Sequence, residues 1–327
     1  MTRAKGIVRR LLAPLGFIPE VILFGVVIYL GVRFTVRDLY VATRYVFYPP
    51  TMPVAAACAV ALIVKLVQRR RMWVAVMSGM ALAAIAYCVL TDEFHFARPH
   101  ANPGNTAKAL TVVTWNIQGG QAGWDRVSER IKREDPDIVM LAEAHVWKSH
   151  WGMRVWLKEF PGYHVAQIVG PLTILTKGKV LSHEYVDVNR ARFLRATLEI
   201  NGKPLNIIVF HPRPHIRGDR EAIYRTLAEF IDEFGDDTPL ILSGDFNTPP
   251  NSAYLDRVEK RMSNAFHVAG SGFYYSWPSY LPLLAIDHAF VNSRVKVMDY
   301  RILPTDLSDH YMQKMTVILN PESTNET

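Results

Sequence analysis

The stretch PLILSGDFNTPP, residues 239–250, decides how the rest of the chain is read. Its first half is a short apolar run of the length that suits a strand buried on both faces. Its second half turns abruptly to Gly, Asp, Asn and two prolines, which end a strand and open a loop. Asp245 and Asn247 therefore stand where a buried strand emerges, the place where sheet-based enzymes commonly gather functional side chains. The layout repeats outward in both directions. Asn116 closes LTVVTWN, Glu143 closes DIVMLAE and His211 closes LNIIVFH, while downstream Asp287 lies in AIDHAF and the pair Asp309 and His310 in LSDH.

The segments between these points predict one α/β domain. LTVVTW, DIVMLAE, LTILT, LRATLEI, LNIIVFH, PLILSGD, AIDHAFV and MTVIL read as strands. Residues 124–133, 150–160, 220–234 and 252–261 read as helices. Several strands are apolar on both faces, which implies burial between layers, and about 210 residues in this pattern fill an ample core.

A lone Asp or Asn after a strand is ordinarily a turn former. Carboxylates, amides and histidines that repeat the placement along one chain point further, because burying each without a partner costs several kcal/mol. Such a cluster calls for a cation. Oxygen donors without cysteine are the ligand set of a hard ion, Mg²⁺ or Mn²⁺ rather than Zn²⁺. Phosphoester cleavage would use the remainder: a base for the water and donors for the developing charge.

The ordered blocks TWNIQ, LAEA, FHPRP, SGDFNTPP, IDHAF and SDHYM resemble the signature of the endonuclease/exonuclease/phosphatase superfamily, over about residues 110–320. That superfamily includes deoxyribonuclease I, exonuclease III, neutral sphingomyelinases and inositol-phosphate 5-phosphatases. The resemblance implies a four-layer α/β/β/α sandwich of the deoxyribonuclease I-like type with two central sheets. It assigns Glu143 as the main metal ligand, with Asn116 and Asp309 completing or supporting the site. Asp245 would orient or deprotonate the attacking water and Asn247 would hold a phosphate oxygen. His211 and His310 would donate to phosphoryl oxygens, with Asp287 fixing the tautomer of His310. The implied cofactor is one Mg²⁺, or Mn²⁺ in its place, with a second ion left open.

The chain also departs from the family pattern. The stretch between Glu143 and His211 is short and lacks the long DNA-contacting insertions of the repair nucleases, and the serine-bearing strand block is reduced to LTILTKGKV. Arg190, Arg192 and Arg195 lead into one strand, and Arg213, Arg217 and Arg220 surround the loop after His211. Arginines so placed can grip phosphate bidentately, and Arg213 and Arg217 are the substrate-binding candidates. His215 and His288 read as supporting or solvent-facing. The loop GFYYSWPSYLPLL, residues 272–284, is unusually aromatic for a segment before a site strand. It would cover the site, stack on a substrate, meet a membrane interface or simply pack on the sheet.

The N-terminal third has a different character. Three stretches, about 11–32, 45–64 and 72–91, reach the ~20 mostly apolar residues that a bilayer crossing needs. Arg3, Lys5, Arg9 and Arg10 precede the first, and Lys65, Arg69, Arg70 and Arg71 fill the turn between the second and third. Arg33, Arg37, Arg44 and Arg98 fall on the other side. Eight against four predicts a multi-pass protein of the bacterial cytoplasmic membrane, with everything after residue 91 on the periplasmic or extracellular side. A cleaved signal peptide is disfavoured by the length of the first stretch and the two that follow. The expected organisation is a membrane region over 1–91, a linker over 92–108 (DEFHFARPHANPGNTAK), a catalytic domain over 109–320 and a tail over 321–327.

Composition bounds the function. The 327 residues are 50% hydrophobic and 20% charged with two cysteines, which excludes disorder and a disulfide scaffold. Both cysteines, Cys58 and Cys88, fall in the predicted spans. The formal charge of +7 is uneven: 12 Lys and Arg against 4 Asp and Glu in residues 1–100, then 25 against 26. A near-neutral catalytic part argues against a polyanionic partner. The reading is a membrane-anchored, metal-dependent phosphodiesterase or phosphomonoesterase acting on a lipid-linked or small phosphoester. Cleavage of DNA or RNA is the alternative. A catalytically inactive membrane scaffold is disfavoured, because every expected catalytic position is filled.

Overall fold

A computed structural model describes residues 17–69, 71–96, 109–144, 151–166 and 170–319. These fall into two compact units, a helical one reaching to Phe94 and including Asn251–Ala253, and a larger α/β one made of the rest from His95 onward.

The helical unit contains α1 (Ile18–Phe34), α2 (Val41–Phe47), α3 (Thr51–Gln68) and α4 (Met72–Cys88), the last continued by a π-helical turn over Val89–Glu93. The three expected spans are thereby redrawn. The first, 11–32, becomes the 17-residue α1, with Pro19 in its first turn, and residues 11–16 lie outside the described residues. The second, 45–64, is broken at Pro49 and Pro50, which have no N–H to bond back to the preceding turn, and the long helix begins only at Thr51. Among the described residues two helices, Thr51–Gln68 and Met72–Glu93, are long and apolar enough to cross a membrane, rather than three. The basic stretches before Ile18 and most of the expected linker and tail also lie outside the described residues.

Inside this unit several buried charged groups are paired. Lys65 donates to Glu20 at 2.7 Å, with Arg71 at 3.0 Å from the same carboxylate. Near the opposite end of α1, Arg33 donates to Asp92 and Glu93, each at 3.3 Å, and Thr51 donates to Glu93. Large apolar side chains, among them Phe24, Val60, Ile63 and Met80, are exposed.

The α/β unit is built on two six-stranded sheets. The first contains β1 (Ala109–Asn116), β2 (Ile138–Ala142), β3 (His164–Ala166), β4 (Thr173–Thr176), β11 (Val295–Leu303) and β12 (Met312–Leu319), in the order β11-β12-β1-β2-β4-β3. The second contains β5 (Lys179–Val188), β6 (Ala191–Ile200), β7 (Lys203–Pro212), β8 (Leu240–Asp245), β9 (Ser263–Asn264) and β10 (Asp287–Val291), in the order β9-β10-β8-β7-β6-β5. Each sheet has one parallel pair, β1 with β2 and β7 with β8, among antiparallel neighbours.

The two-faced apolar strands now have an explanation. Alternate residues of each strand point to opposite faces. Val112, Met140 and Ile174 of one sheet meet Leu194, Ile207, Val209 and Ile241 of the other in a shared core. Their neighbours face outward onto helices. Ile208, Phe210 and Leu242 pack on Tyr224, Leu227 and Ile231 of α7 (Arg220–Phe234). Val113, Trp115 and Val139 pack on Val127 and Ile131 of α5 (Trp124–Lys132) and Trp156 of α6 (Trp151–Glu159). The helix expected over 252–261 shrinks to the single turn α8 (Asp256–Glu259). Strands β5 and β11 escape the sequence pattern because they are edge strands in which charged residues interrupt the apolar ones, with β5 mostly solvent-exposed.

Gly244 fixes the geometry just before Asp245. Its φ is +152°, and a Cβ there would run into the backbone carbonyl of Phe210 on the adjacent β7. Gly244→Ala should therefore cost more than about 2 kcal/mol in a denaturation measurement. An unchanged midpoint would show that β7 and β8 do not approach so closely.

Candidate active site

The two parallel pairs bring the polar strand ends together. In β1 and β2, Asn116 pairs with Ala142, so Asn116 and Glu143 leave the first sheet side by side. In the second sheet β7 ends just past His211 and β8 ends at Asp245, while β10 enters antiparallel with Asp287 in register with Asp245. His310 arrives on the segment leading into β12.

These residues form two groups that share Asp245. The ligating atoms of Glu143, His211 and Asp245 lie within 4.8 Å of one another, and so do those of Asp245, Asp287 and His310. Asn116 ties the first group, its Nδ2 donating to Glu143 Oε1 at 3.2 Å and to Asp245 Oδ2 at 3.0 Å. His211 Nε2 faces the same two carboxylates at 3.5 and 3.6 Å. Its Nδ1 is 3.4 Å from Arg192, which stands opposite it in the β6–β7 register. A guanidinium can only donate, so Nδ1 accepts and the ring proton of His211 sits on Nε2, toward the site.

In the second group His310 Nδ1 bonds Asp287 Oδ2 at 2.8 Å, leaving Nε2 at 3.8 Å from Asp245. The Ser276 hydroxyl donates to the same Asp287 oxygen at 2.5 Å, and Gln313 holds the Asp287 carbonyl at 2.9 Å. Burial disfavours the His310 cation, but Asp287 and Asp245 overcome it and raise the imidazole to about 10. Burial pushes the Asp245 carboxyl up to about 7, opposed by the attraction of His310.

Of the other expected site residues, Asn247 lies in the group, with its N–H on Asp245 Oδ1 at 2.9 Å. Its Nδ2 donates to Asp245 Oδ2 at 3.1 Å and to the Pro212 carbonyl at 3.0 Å, so service at a phosphate oxygen requires one of these bonds to exchange. Asp309 belongs to neither group of ligating atoms. Its carboxylate accepts from Trp277 Nε1 at 3.2 Å, with the Ser308 hydroxyl 3.4 Å away. Arg213 and Arg217 are exposed in the loop after His211, whereas Arg220 is turned inward. His215 is exposed as well. Ser276 and Trp277 were legible only as part of an aromatic loop, and their partnership with Asp287 and Asp309 is a tertiary contact that no local spacing announces.

The sequence model of the Endonuclease/Exonuclease/phosphatase family matches residues 113–310. The chain belongs to this family. It is accordingly a phosphoester hydrolase of a family whose enzymes use a divalent metal. No curated protein sequence matches the chain. Among solved structures it is similar to humanized D. rerio TDP2, at 19% identity over 64% of this chain and 98% of that one, with a TM-score of 0.53. It is also similar to the mannosyl-6-phosphatase of Bacteroides thetaiotaomicron, at 16% identity over 64% and 100%, with a TM-score of 0.55. The human Nocturnin catalytic domain gives 18%, 65% and 94%, with a TM-score of 0.51. At these identities the likeness concerns the fold.

The donor set suits the family's metal. The carboxylates of Glu143 and Asp245 offer ligand oxygens within 4.8 Å of each other, near enough for one ion with bonds of ~2.1 Å to take both. Two carboxylates with no thiol beside them select a hard cation.

His288 lies beside Asp287 but plays a different part. It is fully buried, its Nε2 donating to the Thr248 carbonyl at 2.8 Å and its Nδ1 facing the Tyr274 hydroxyl at 3.0 Å. Burial pulls the imidazole down to about 4. The neutral ring contributes its full stability above pH ~6.5, and that contribution is lost as pH falls toward 4, on the order of 3 kcal/mol in all. The thermal midpoint should drop across this window by more in the wild type than in His288→Gln. Parallel curves would remove His288 as the cause.

Proposed function

We propose that the chain is a membrane-anchored phosphodiesterase dependent on Mg²⁺ or Mn²⁺, acting outside the cytoplasmic membrane on a lipid-linked or small phosphoester. The observation that carries the reading is the convergence of Glu143, Asn116, His211, Asp245, Asp287 and His310 where the two parallel strand pairs end. Glu143 is the main ligand of the ion, with Asn116 and Asp309 completing or supporting its site. The bound cation supplies charge neutralisation for the phosphoryl oxygens and the leaving oxygen.

Asp245 orients the attacking water and takes its proton, a task that suits a carboxyl lifted to about 7. His310, held charged and oriented by Asp287, donates from Nε2 to the phosphoryl oxygen as charge builds. His211 donates from Nε2 beside it, and Asn247 steadies Asp245. The surrounding layers complete the α/β/β/α arrangement, supported by the shared core and the two outer clusters on helices. The nearly neutral catalytic part and the short stretch between Glu143 and His211 favour a lipid-linked or small phosphoester over DNA.

Membrane anchoring is supported by the distribution of side chains in the helical unit. Lys65, Thr51, Ser78 and Arg33 are buried while Phe24, Val60, Ile63 and Met80 face outward, the reverse of a helix bundle made for water. A crossing by α4 would carry the segment after Glu93 to the side opposite the basic turn at Lys65–Arg71.

The full chain in detergent should hydrolyse a generic phosphodiester. Chelation should abolish turnover and Mg²⁺ or Mn²⁺ restore it, and Asp245→Asn should lower kcat by about 10² or more with KM nearly unchanged. Full activity in excess chelator would exclude the mechanism. Parallel assays on phospholipid vesicles, DNA and RNA decide the substrate class, and turnover confined to nucleic acid would replace the lipid reading. For topology, a periplasm-active reporter fused after residue 100 should be active and one fused at Arg70 silent. The opposite pattern would overturn the location.

A further inference from the structure

The turn after Asp245 is heavily braced, and the brace comes from a residue whose sequence position suggested phosphate binding. Asn247 adopts a left-handed backbone, φ +47°. Asparagine tolerates this region better than most residues but at some cost, so contacts must hold it there. Arg220, 4% exposed at the start of α7, donates from Nη2 to the Asn247 carbonyl at 2.8 Å and from Nη1 to the Thr248 hydroxyl. Tyr224, one helical turn on, donates to the same hydroxyl at 2.8 Å, and Thr248 in turn donates to the Phe246 carbonyl at 2.9 Å.

A threonine hydroxyl has one donor and two acceptor positions. Here all three are filled, which leaves Thr248 Oγ1 a single orientation. The Thr248 carbonyl is taken by His288. Helix α7 is itself fixed at this end, because the Asp219 carboxylate caps it by accepting the Ala222 N–H at 3.0 Å. The chain of contacts runs from a capped helix through a buried guanidinium to Asn247, whose amide bonds both Asp245 and the carbonyl next to His211.

We propose that Arg220 is a positioning residue of this site: its guanidinium clamps the Phe246–Thr248 turn and so aims the Asn247 amide at Asp245. A phosphate-gripping arginine needs its fork open to the substrate, whereas both ends of this fork are spent on the turn. Of the three arginines around the loop, Arg213 and Arg217 keep that possibility. The inference rests on the reading of Asp245 and Asn247 as catalytic. The two are separable, since an inactive wild type sinks that reading while an active wild type with the wrong variant pattern sinks this one.

The test uses the full chain in detergent, Mg²⁺ and a generic phosphodiester. Arg220→Met should lower kcat by about 10-fold or more with KM within about 2-fold, and Arg220→Lys should recover part of the loss. Adding Arg220→Met to Asn247→Ala should cost no more than about 2-fold beyond Asn247→Ala alone, because both lesions act through one amide. Hydrogen exchange should rise at Asn247 and Thr248 in Arg220→Met while α7 stays protected. If that variant does not fold, Thr248→Val should reproduce its kinetic defect and Thr248→Ser should restore turnover. Fully multiplicative losses, a raised KM with kcat intact, or unchanged exchange at the turn would each overturn the assignment.

Discussion

The carboxylate of Asp245 is almost wholly removed from solvent, and its Oδ2 is addressed by Asn116 and Asn247 through hydrogen bonds and by His211 and His310 through longer electrostatic contacts. A buried carboxylate with so few water contacts is tolerable only where donors and positive charge converge on it. Both sheets supply them. Asn116 comes from the first, His211 and Asn247 from the second, and His310 from the segment entering β12 of the first. The docking of one sheet on the other across the apolar core is what brings these groups to a common oxygen, so packing energy and site geometry are the same problem here.

A division of labour follows from burial. The residues that bear on Asp245 are held by others that never face a substrate. Ser308 accepts the His310 N–H at 3.1 Å and donates to the Asn116 carbonyl at 2.7 Å, while the Trp115 indole donates to the His310 carbonyl at 2.9 Å. These contacts stitch the β1 end to the β12 entry. Support of this kind keeps donors oriented before charge develops, which is where electrostatic catalysis gains most.

Much of this was legible in the sequence, for a physical reason. Central strands buried on two faces are nearly continuous apolar runs, so LNIIVFH and PLILSGD announce themselves, and polar residues that recur at the ends of several such runs stand out. Edge strands such as β5 carry Lys, Glu and Asp against aggregation and lose that signature. The membrane-like stretches were visible from composition, but the break at Pro49 and Pro50 moved the second helix by six residues. What local pattern could not give is which way a side chain turns. Arg220 and Arg217 are three residues apart, yet one is buried against a turn and the other exposed. Ser276 and Trp277 reach Asp287 and Asp309 across 11 and 32 residues. His288 is buried because β10 places it on a face already filled by Phe246 and Tyr274.

The order in which the site residues occur along the chain has a consequence for its biosynthesis. Asn116 is met early and His310 some two hundred positions later, with the second sheet laid down between them. Contacts of such separation form late, because loop closure must precede their reward. A ribosome that has released everything up to Asp287 has yet to supply the imidazole that this carboxylate orients. The cluster is thus geometrically incomplete until the SDH block docks between β1 and β10, where Ser308 meets Asn116 and His310 meets Asp287.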